Sequence, residues 1–375
     1  MRNTLILLIP ALMMLSCSAG NQDRVPSLHA EFSDAFLIGT ALNSEQILGR
    51  DTRGLELIRT HFNAITPENI TKWEAIHPEP GVYDFKEADA FVDFGQKYNM
   101  FMVGHTLVWH SQTPRWVFKD ENGALVSREV LLERMRDHIH TVVGRYRGRI
   151  HGWDVVNEAL NEDGSYRETL WYQIIGTDYI LKAFEFAREA DPDAELYYND
   201  YSLENPSKRA GAMRIVQYLQ EHGAPITGVG TQGHFTLDWP ELSEIEQTVI
   251  DFASLGMDVM ITELDIDVLP QPDDYTGADV NFSAELYDEL NPWPNGLPPE
   301  IEQELANRYA DIFEIYLRHR DKVTRVSFWG VTDGDSWKNN WPVPGRTNYP
   351  LIFDRNWKPK PAFFSIVDAA REALD

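Results

Sequence analysis

Cysteine is nearly missing from this chain of 375 residues: Cys17 stands alone, so no internal disulfide can form. Basic residues are scarce too. The chain has 33 Lys+Arg against 59 Asp+Glu, a formal charge of −26. That balance argues against a nucleic-acid partner and against adsorption to anionic lipid. No apolar run reaches the roughly 20 residues of a membrane-crossing helix. No glycine-rich phosphate turn, of either the G-x-G-x-x-G or the Walker kind, follows an early strand-like run. This weakens a nucleotide-dependent open-sheet enzyme as a reading. What remains is an ordinary soluble composition, 43% hydrophobic and 25% charged, with 11 Trp among 12% aromatics. Exposed indoles suit the C–H face of a sugar ring, and a neutral polymer would not be repelled by the acidic surface.

The N-terminus has its own pattern. Arg2 precedes the apolar run Leu5–Leu15, and then come Ser16-Cys17-Ser18-Ala19-Gly20. A charged start, a short apolar core and small residues make residues 1–20 a secretory signal. Cys17 resembles the lipid-attachment cysteine of bacterial lipoproteins, with Met14 where that pattern has Leu, Val or Ile. The expectation is an exported protein, either a lipoprotein at the periplasm or cell surface, or a secreted one. Residues 21–30 read as a polar tether, leaving 31–375 as a single domain.

From there strand-like and helix-like stretches alternate. Apolar runs of strand length lie at Phe36–Thr40, His61–Thr66, Met100–Val108, Ile150–Asn157, Glu195–Asn199, Gly228–Gly233, Val259–Glu263 and Arg325–Val331. Helix patterns include Arg128–Arg145, Trp171–Ala190, Pro206–His222, Ile301–His319 and Pro361–Ala373, with Ser127 and Pro206 as start signals. Alternation of this kind implies parallel pairing by right-handed crossovers, and eight units predict a (β/α)8 TIM barrel. Active sites of such barrels gather at the C-terminal ends of the strands. Those ends carry Glu68 and Asn69, His105, Asn157 and Glu158, Asn199 and Asp200, Gln232 and His234, Glu263 and Asp265, and Trp329. The Pro- and Asp-rich stretch 270–299 follows the strand bearing Glu263 and is expected to wall the cleft.

Two runs end on a glutamate, Glu158 and Glu263. A carboxylate closing a buried strand needs a partner. A lone one is more often a helix cap or an ion-pair partner. Two facing one end of a barrel are the minimum equipment for cleaving a glycosidic bond.

The motifs, in order, are Thr66-Pro67-Glu68-Asn69 with Lys72-Trp73; Gly104-His105-Thr106-Leu107-Val108-Trp109-His110-Ser111-Gln112; Trp153-Asp154-Val155-Val156-Asn157-Glu158-Ala159; Gly230-Thr231-Gln232-Gly233-His234; Ile261-Thr262-Glu263-Leu264-Asp265; and Trp329-Gly330-Val331-Thr332-Asp333 with Ser336-Trp337. Together they resemble glycoside hydrolase family 10, the endo-β-1,4-xylanases, over about residues 31–373. The resemblance implies double displacement with retention, with carboxyls about 5–5.5 Å apart. Glu158 would be the acid/base, its pKa raised by the nearby Glu263, and Glu263 the nucleophile. Asn157 would hold the sugar 2-hydroxyl, His234 the nucleophile, and Asp265 the histidine. Glu68, Asn69, Lys72, His105, Trp109 and Gln112 would line the non-reducing side, and Gln232 would touch sugar or acid/base. Trp329 and Trp337 would be aromatic walls with little room for a hydroxymethyl group. The partners implied are xylan and xylo-oligosaccharides, acted on by a monomer without a cofactor and touching a membrane only through a lipid anchor.

Some features are expected to be bystanders. His138 and His140 are two apart on a helix and cannot share a face as metal ligands. Asp273-Asp274, and Asp333 with Asp335, lack the spacing of a calcium loop and read as solvated acidic surface. Two rival functions remain: a β-1,4- or mixed-linkage glucanase on the same barrel, and a non-catalytic glycan-binding lipoprotein.

Overall fold

In the computed structural model, which describes residues 25–272 and 278–374, nine strands are all paired in parallel. They are β1 (Leu37–Leu42), β2 (Ala64–Pro67), β3 (Phe101–Val108), β4 (Gly152–Asn157), β5 (Glu195–Asp200), β6 (Gly228–Thr231), β7 (His234–Thr236), β8 (Asp258–Asp267) and β9 (Val323–Phe328). The order runs β6-β5-β4-β3-β2-β1-β9-β8, and β6 pairs back onto β8, Gly228 opposite Asp258 through Thr231 opposite Ile261. Eight strands therefore close a barrel inside a ring of helices. β7 was not foreseen. It resumes β6 after Gln232 and Gly233 and pairs His234–Thr236 with Asp265–Asp267.

The helices start where local chemistry sets them. Ser127 accepts from Val130 N at 3.4 Å and opens helix Arg128–Arg145. Asn205 caps helix Pro206–Glu221, with Pro206 in its first turn. The stretch expected as one helix, Trp171–Ala190, is two: Leu170–Ile175 and Tyr179–Ala190. Gly176, at φ +91°, breaks it with a backbone that L side chains rarely adopt. His61 is also misplaced in the sequence reading, since it ends helix Thr52–His61 rather than opening a strand. The expected tether gives way at its end: Leu28 lies in helix Leu28–Glu31 and is fully buried in the core.

Most apolar burial lies between the outer barrel face and the helices, where Phe91, Trp153, Phe184 and Phe313 are fully covered. Inside the barrel, Val103, Tyr197 and Met260 pack with Phe101, and the Arg325 guanidinium lies over the Phe101 and Tyr197 rings. These side chains fill the N-terminal half, so polar residues converge only at the other end.

Candidate active site

At the C-terminal strand ends a pocket of about 170 Å³ is lined by Glu68, Asn69, Lys72, His105, Trp109, Gln112, Asn157, Glu158, Gln232, His234, Glu263, Trp329 and Trp337, together with Ala278 and Val280. Every site residue expected from sequence is here except Asp265, which lies beneath and touches the wall through others, and Cys17, which lies outside the described residues. Ala278 and Val280 belong to the long stretch 270–299, whose described part does wall the pocket.

Glu158 and Glu263 are each 4% exposed. Glu158 directly follows β4 with φ +56°, a left-handed turn unusual for a side chain of its size, which lifts its carboxyl out of the strand. Its Oε2 accepts from Trp109 Nε1 at 2.8 Å. Its Oε1 accepts from Gln232 Nε2 at 3.0 Å and from Asn157 Nδ2 at 3.2 Å. Burial pushes this carboxyl above the usual glutamate range, against the pull of those donors. The charge of Glu263 adds to the rise but is a smaller cause than burial, which corrects the expectation that the neighbouring carboxylate leads.

Glu263 goes the other way. Burial alone would raise its pKa, but the hydrogen bond from His234 and the nearby positive charges outweigh it and hold the carboxyl below its ordinary range. Glu263 Oε1 accepts from Asn199 Nδ2 at 2.8 Å, and Oε2 lies 3.3 Å from His234 Nε2. His234 Nδ1 lies 2.9 Å from Asp265 Oδ1, and the ring is pushed up to about 9. An imidazolium at neutral pH thus sits between two carboxylates. Asp265 Oδ2 accepts from Trp337 Nε1 at 2.8 Å, and Trp337 stacks on Trp341 at 4.5 Å.

The two glutamates are joined through amides. Asn199 Nδ2 donates to Glu263 and also to Asn157 Oδ1 at 2.9 Å, and Asn157 Nδ2 reaches Glu158. In sequence Asn199 is a strand-end residue without a role of its own. It sits opposite Asn157 across β4 and β5, a pairing that only the folded sheet sets. Gly230 makes room for it, since a Cβ there would come within 2.4 Å of Asn199 Oδ1. Three further residues escaped sequence reading. Arg167 pairs with Asp279 at 3.1 Å and donates to the Tyr201 hydroxyl at 2.7 Å, and its charge draws the Glu158 pKa down.

On the far side of the pocket, Lys72 Nζ donates to Asn69 Oδ1 and Gln112 Oε1, both at 2.9 Å, and lies 4.9 Å from the centre of the Trp109 ring. His105 Nδ1 lies 2.9 Å from Asp154 Oδ2, with its ring edge-on to Trp329.

The expected bystanders behave differently from one another. His138 is fully buried, stacked on Trp73 and 3.2 Å from His77, while His140 meets Glu189. Asp333 corrects the expectation of acidic surface. It is 1% exposed and paired with Lys360 at 2.9 Å, because an isolated buried carboxylate would be too costly. Asp335 is half-buried against Thr332. Asp273-Asp274 lie outside the described residues. Among the described residues, no cluster of His, Cys, Asp and Glu could hold a metal ion.

Comparison with known proteins places this geometry. The sequence profile of glycosyl hydrolase family 10 matches residues 27–369. An endo-1,4-beta-xylanase A of Xylanibacter ruminicola is 46% identical over 356 residues, 95% of this chain and 96% of that one. A beta-1,4-xylanase of Dictyoglomus thermophilum is 43% identical, over 97% of this chain and 96% of its own. Among solved structures, a GH10 endoxylanase from a sugarcane soil metagenome superposes with a TM-score of 0.89 at 49% identity, covering 91% of this chain and 99% of that one. With the match running through nearly the whole packed barrel, the chain belongs to glycosyl hydrolase family 10.

Proposed function

We propose that the protein is a retaining endo-1,4-β-xylanase, with Glu158 as acid/base and Glu263 as nucleophile. The observation that carries the reading is the pair of buried glutamates joined through Asn157 and Asn199, the proton affinity of one raised by burial and that of the other held down, against burial, by His234. The two environments push the pKa values apart in the directions that a proton donor and a nucleophile need for double displacement.

In the first step a Glu263 oxygen attacks the anomeric carbon and forms an ester. The glycosidic C–O bond breaks, its electron pair stays on the leaving oxygen, and that oxygen takes the Glu158 proton. In the second step Glu158, now ionised, removes a proton from water, whose oxygen displaces the Glu263 carboxylate. Esterification removes a negative neighbour, so the Glu158 pKa falls. Because burial is the larger cause of the rise, that fall is partial. The hydrogen bonds from Trp109, Gln232 and Asn157 then stabilise the ionised base. Asn157, beside Glu158, would meet the sugar 2-hydroxyl, a contact that strengthens in the transition state.

Xylan rather than glucan is favoured by the rigidity of the wall. Trp337 is pinned by Asp265 and stacked on Trp341, so it cannot swing aside for a hydroxymethyl group. The relatives named xylanases support the same substrate. Glu68, Asn69, Lys72, His105, Trp109 and Gln112 hold the non-reducing side. Rapid release of short xylo-oligomers from β-1,4-xylan, with little from carboxymethylcellulose or mixed-linkage glucan, is the expected outcome of a reducing-end assay. Preference for the glucans would overturn the xylan assignment. Silence on all three would favour a glycan-binding protein.

The N-terminal sequence supports export, with Cys17 as a lipid-attachment site; the barrel is taken to act as a monomer. Membrane association that disappears in Cys17→Ser is the expected outcome, and an equally membrane-bound Cys17→Ser protein would remove the anchor.

A further inference from the structure

The cleft occupies the end of the barrel where the strands finish, and the chain enters the described structure at the other end. Ser27 Oγ donates to Thr60 O at 2.5 Å, and Leu28 N donates to His61 Nδ1 at 3.4 Å. Thr60 and His61 close helix Thr52–His61, and β2 begins at Ala64. Val25 to Leu28 therefore lie by the strand starts, on the face opposite Glu158 and Glu263. Cys17 precedes Val25 by eight residues, so its Cα stays within about 28 Å of that exit. Helix Arg128–Arg145, which runs between the two ends of the barrel, is about 27 Å long. A segment this short has no slack to carry a lipid on Cys17 round to the cleft.

Basic residues gather beside the exit. Arg59, next to Thr60, donates from Nη1 to the Tyr98 hydroxyl at 3.5 Å, and Lys97 Nζ lies 5.1 Å from the Tyr98 ring centre. Asn63, Gln96, Asn99, Arg149 and His151 line a depression of about 560 Å³ over the strand starts, and Arg147 is two residues before Arg149. Arg59, Lys97 and Arg147 are exposed and Arg149 is half-buried. Among the described residues none of these four pairs with a carboxylate. Arg145 by contrast is paired with Asp89, Arg318 with Glu246 and Arg371 with Glu31.

A cation in the last turn of a helix is favoured by the helix dipole alone, which accounts for Arg59 and for Lys97 in helix Lys86–Tyr98. It does not account for Arg147 and Arg149, which follow the end of helix Arg128–Arg145. Nor does it account for the sidedness, since helices Pro206–Glu221 and Leu242–Ser254 end without a cation. The chain as a whole carries −26, which opposes adsorption of the free protein to an anionic surface. Tethering changes the question from whether the protein binds to which face it turns, because the anchor holds it within reach. Cations close to anionic lipid are then drawn in, and the acidic remainder is pushed away.

We propose that the base of the barrel, around Arg59, Lys97, Arg147 and Arg149, is a docking surface for anionic lipid headgroups, on which the anchored enzyme stands with its cleft turned outward to the polymer. The proposal rests on the lipid anchor at Cys17 and adds an orientation to it.

The test mixes the exported full chain with vesicles of phosphatidylglycerol and phosphatidylcholine in equal parts, and with vesicles of phosphatidylcholine alone, and compares amide exchange on the two. Exchange over residues 56–60, 96–99 and 145–149 is expected to slow at least about threefold on the anionic vesicles relative to the neutral ones. The double variant Lys97→Glu, Arg147→Glu is expected to lose that slowing while cleaving xylan at the parent rate, since both residues lie far from the cleft. Equal exchange on the two kinds of vesicle by a protein that both retain would overturn the docking surface and leave the anchor intact. Slowing over residues 278–290 instead would place the cleft wall against the lipid and overturn the orientation. A full chain that neither vesicle retains would overturn the anchor, and this surface with it.

Discussion

His234 Nδ1 lies 2.9 Å from Asp265 Oδ1, and that carboxylate is the main cause holding the buried ring protonated. Burial by itself would have pushed the ring the other way. A histidine raised to about 9 contributes stability that is full below its unfolded value of 6.5 and is lost as pH rises through 9. The contribution is of the order of 3 kcal/mol. Denaturant unfolding of the parent is therefore expected to weaken between pH 6.5 and 9.5, and His234→Gln to lose most of that pH dependence. Identical slopes in the two proteins would remove the imidazolium from the account.

Gln232 stabilises Glu158 in its ionised state, since its amide donates to Oε1. Gln232→Leu should raise the Glu158 pKa further and move the alkaline limb of kcat/KM to higher pH, by about one unit. The second step should slow, because the base has lost a donor. A pH–rate profile on an aryl xylobioside measures the limb. A shift to lower pH would contradict the assignment of Glu158 as the acid.

The two glutamates should respond differently to rescue. Glu158→Ala is expected to lose about 10²- to 10⁴-fold on unactivated xylan and less on substrates with good leaving groups, because only the former need a general acid. Glu263→Ala should be inactive on both until azide is added, and the azide product from an aryl xylobioside should have inverted, α, configuration. Near-parental rates in either variant would sink the mechanism.

Asp279 ties the cleft wall to the loop after β4 through Arg167. Its neighbours Ala278 and Val280 line the pocket. Asp279→Ala should cost no more than about 1 kcal/mol of stability, as a partly exposed ion pair does. Amide exchange over residues 278–290 should nevertheless quicken. Unchanged exchange there would mean that packing of Ala278 on Tyr201 and Trp341 holds the wall without the ion pair.

The barrel and most of the site were legible because both rest on local rules. Strand-length apolar runs alternated with helix patterns, and the polar residues fell at one end of each run. Errors arose where contacts between distant segments decide. Gly176 splits a helix that periodicity alone would continue. Leu28 is polar-flanked in sequence and becomes core only once it packs beside helix Thr52–His61. Asp333 looked like surface because Lys360, its partner, is 27 residues away. Asn199 and Arg167 carry no motif of their own. Their importance is set by what lies across the barrel mouth. The cause of the raised Glu158 pKa was also misjudged, since burial is a property of the folded pocket and spacing of two acids in sequence does not report it.

Asp265 serves two masters. One oxygen holds His234, which keeps Glu263 charged, and the other holds the Trp337 indole, which shapes the sugar wall. Redesign of the wall to admit a bulkier sugar would therefore leave half of this carboxylate seeking a new donor, and the histidine's proton affinity would drift with it. Breadth of diet and speed of cutting are geared together here, so an engineer who widens the pocket at Trp337 must rebuild the support under the nucleophile in the same round.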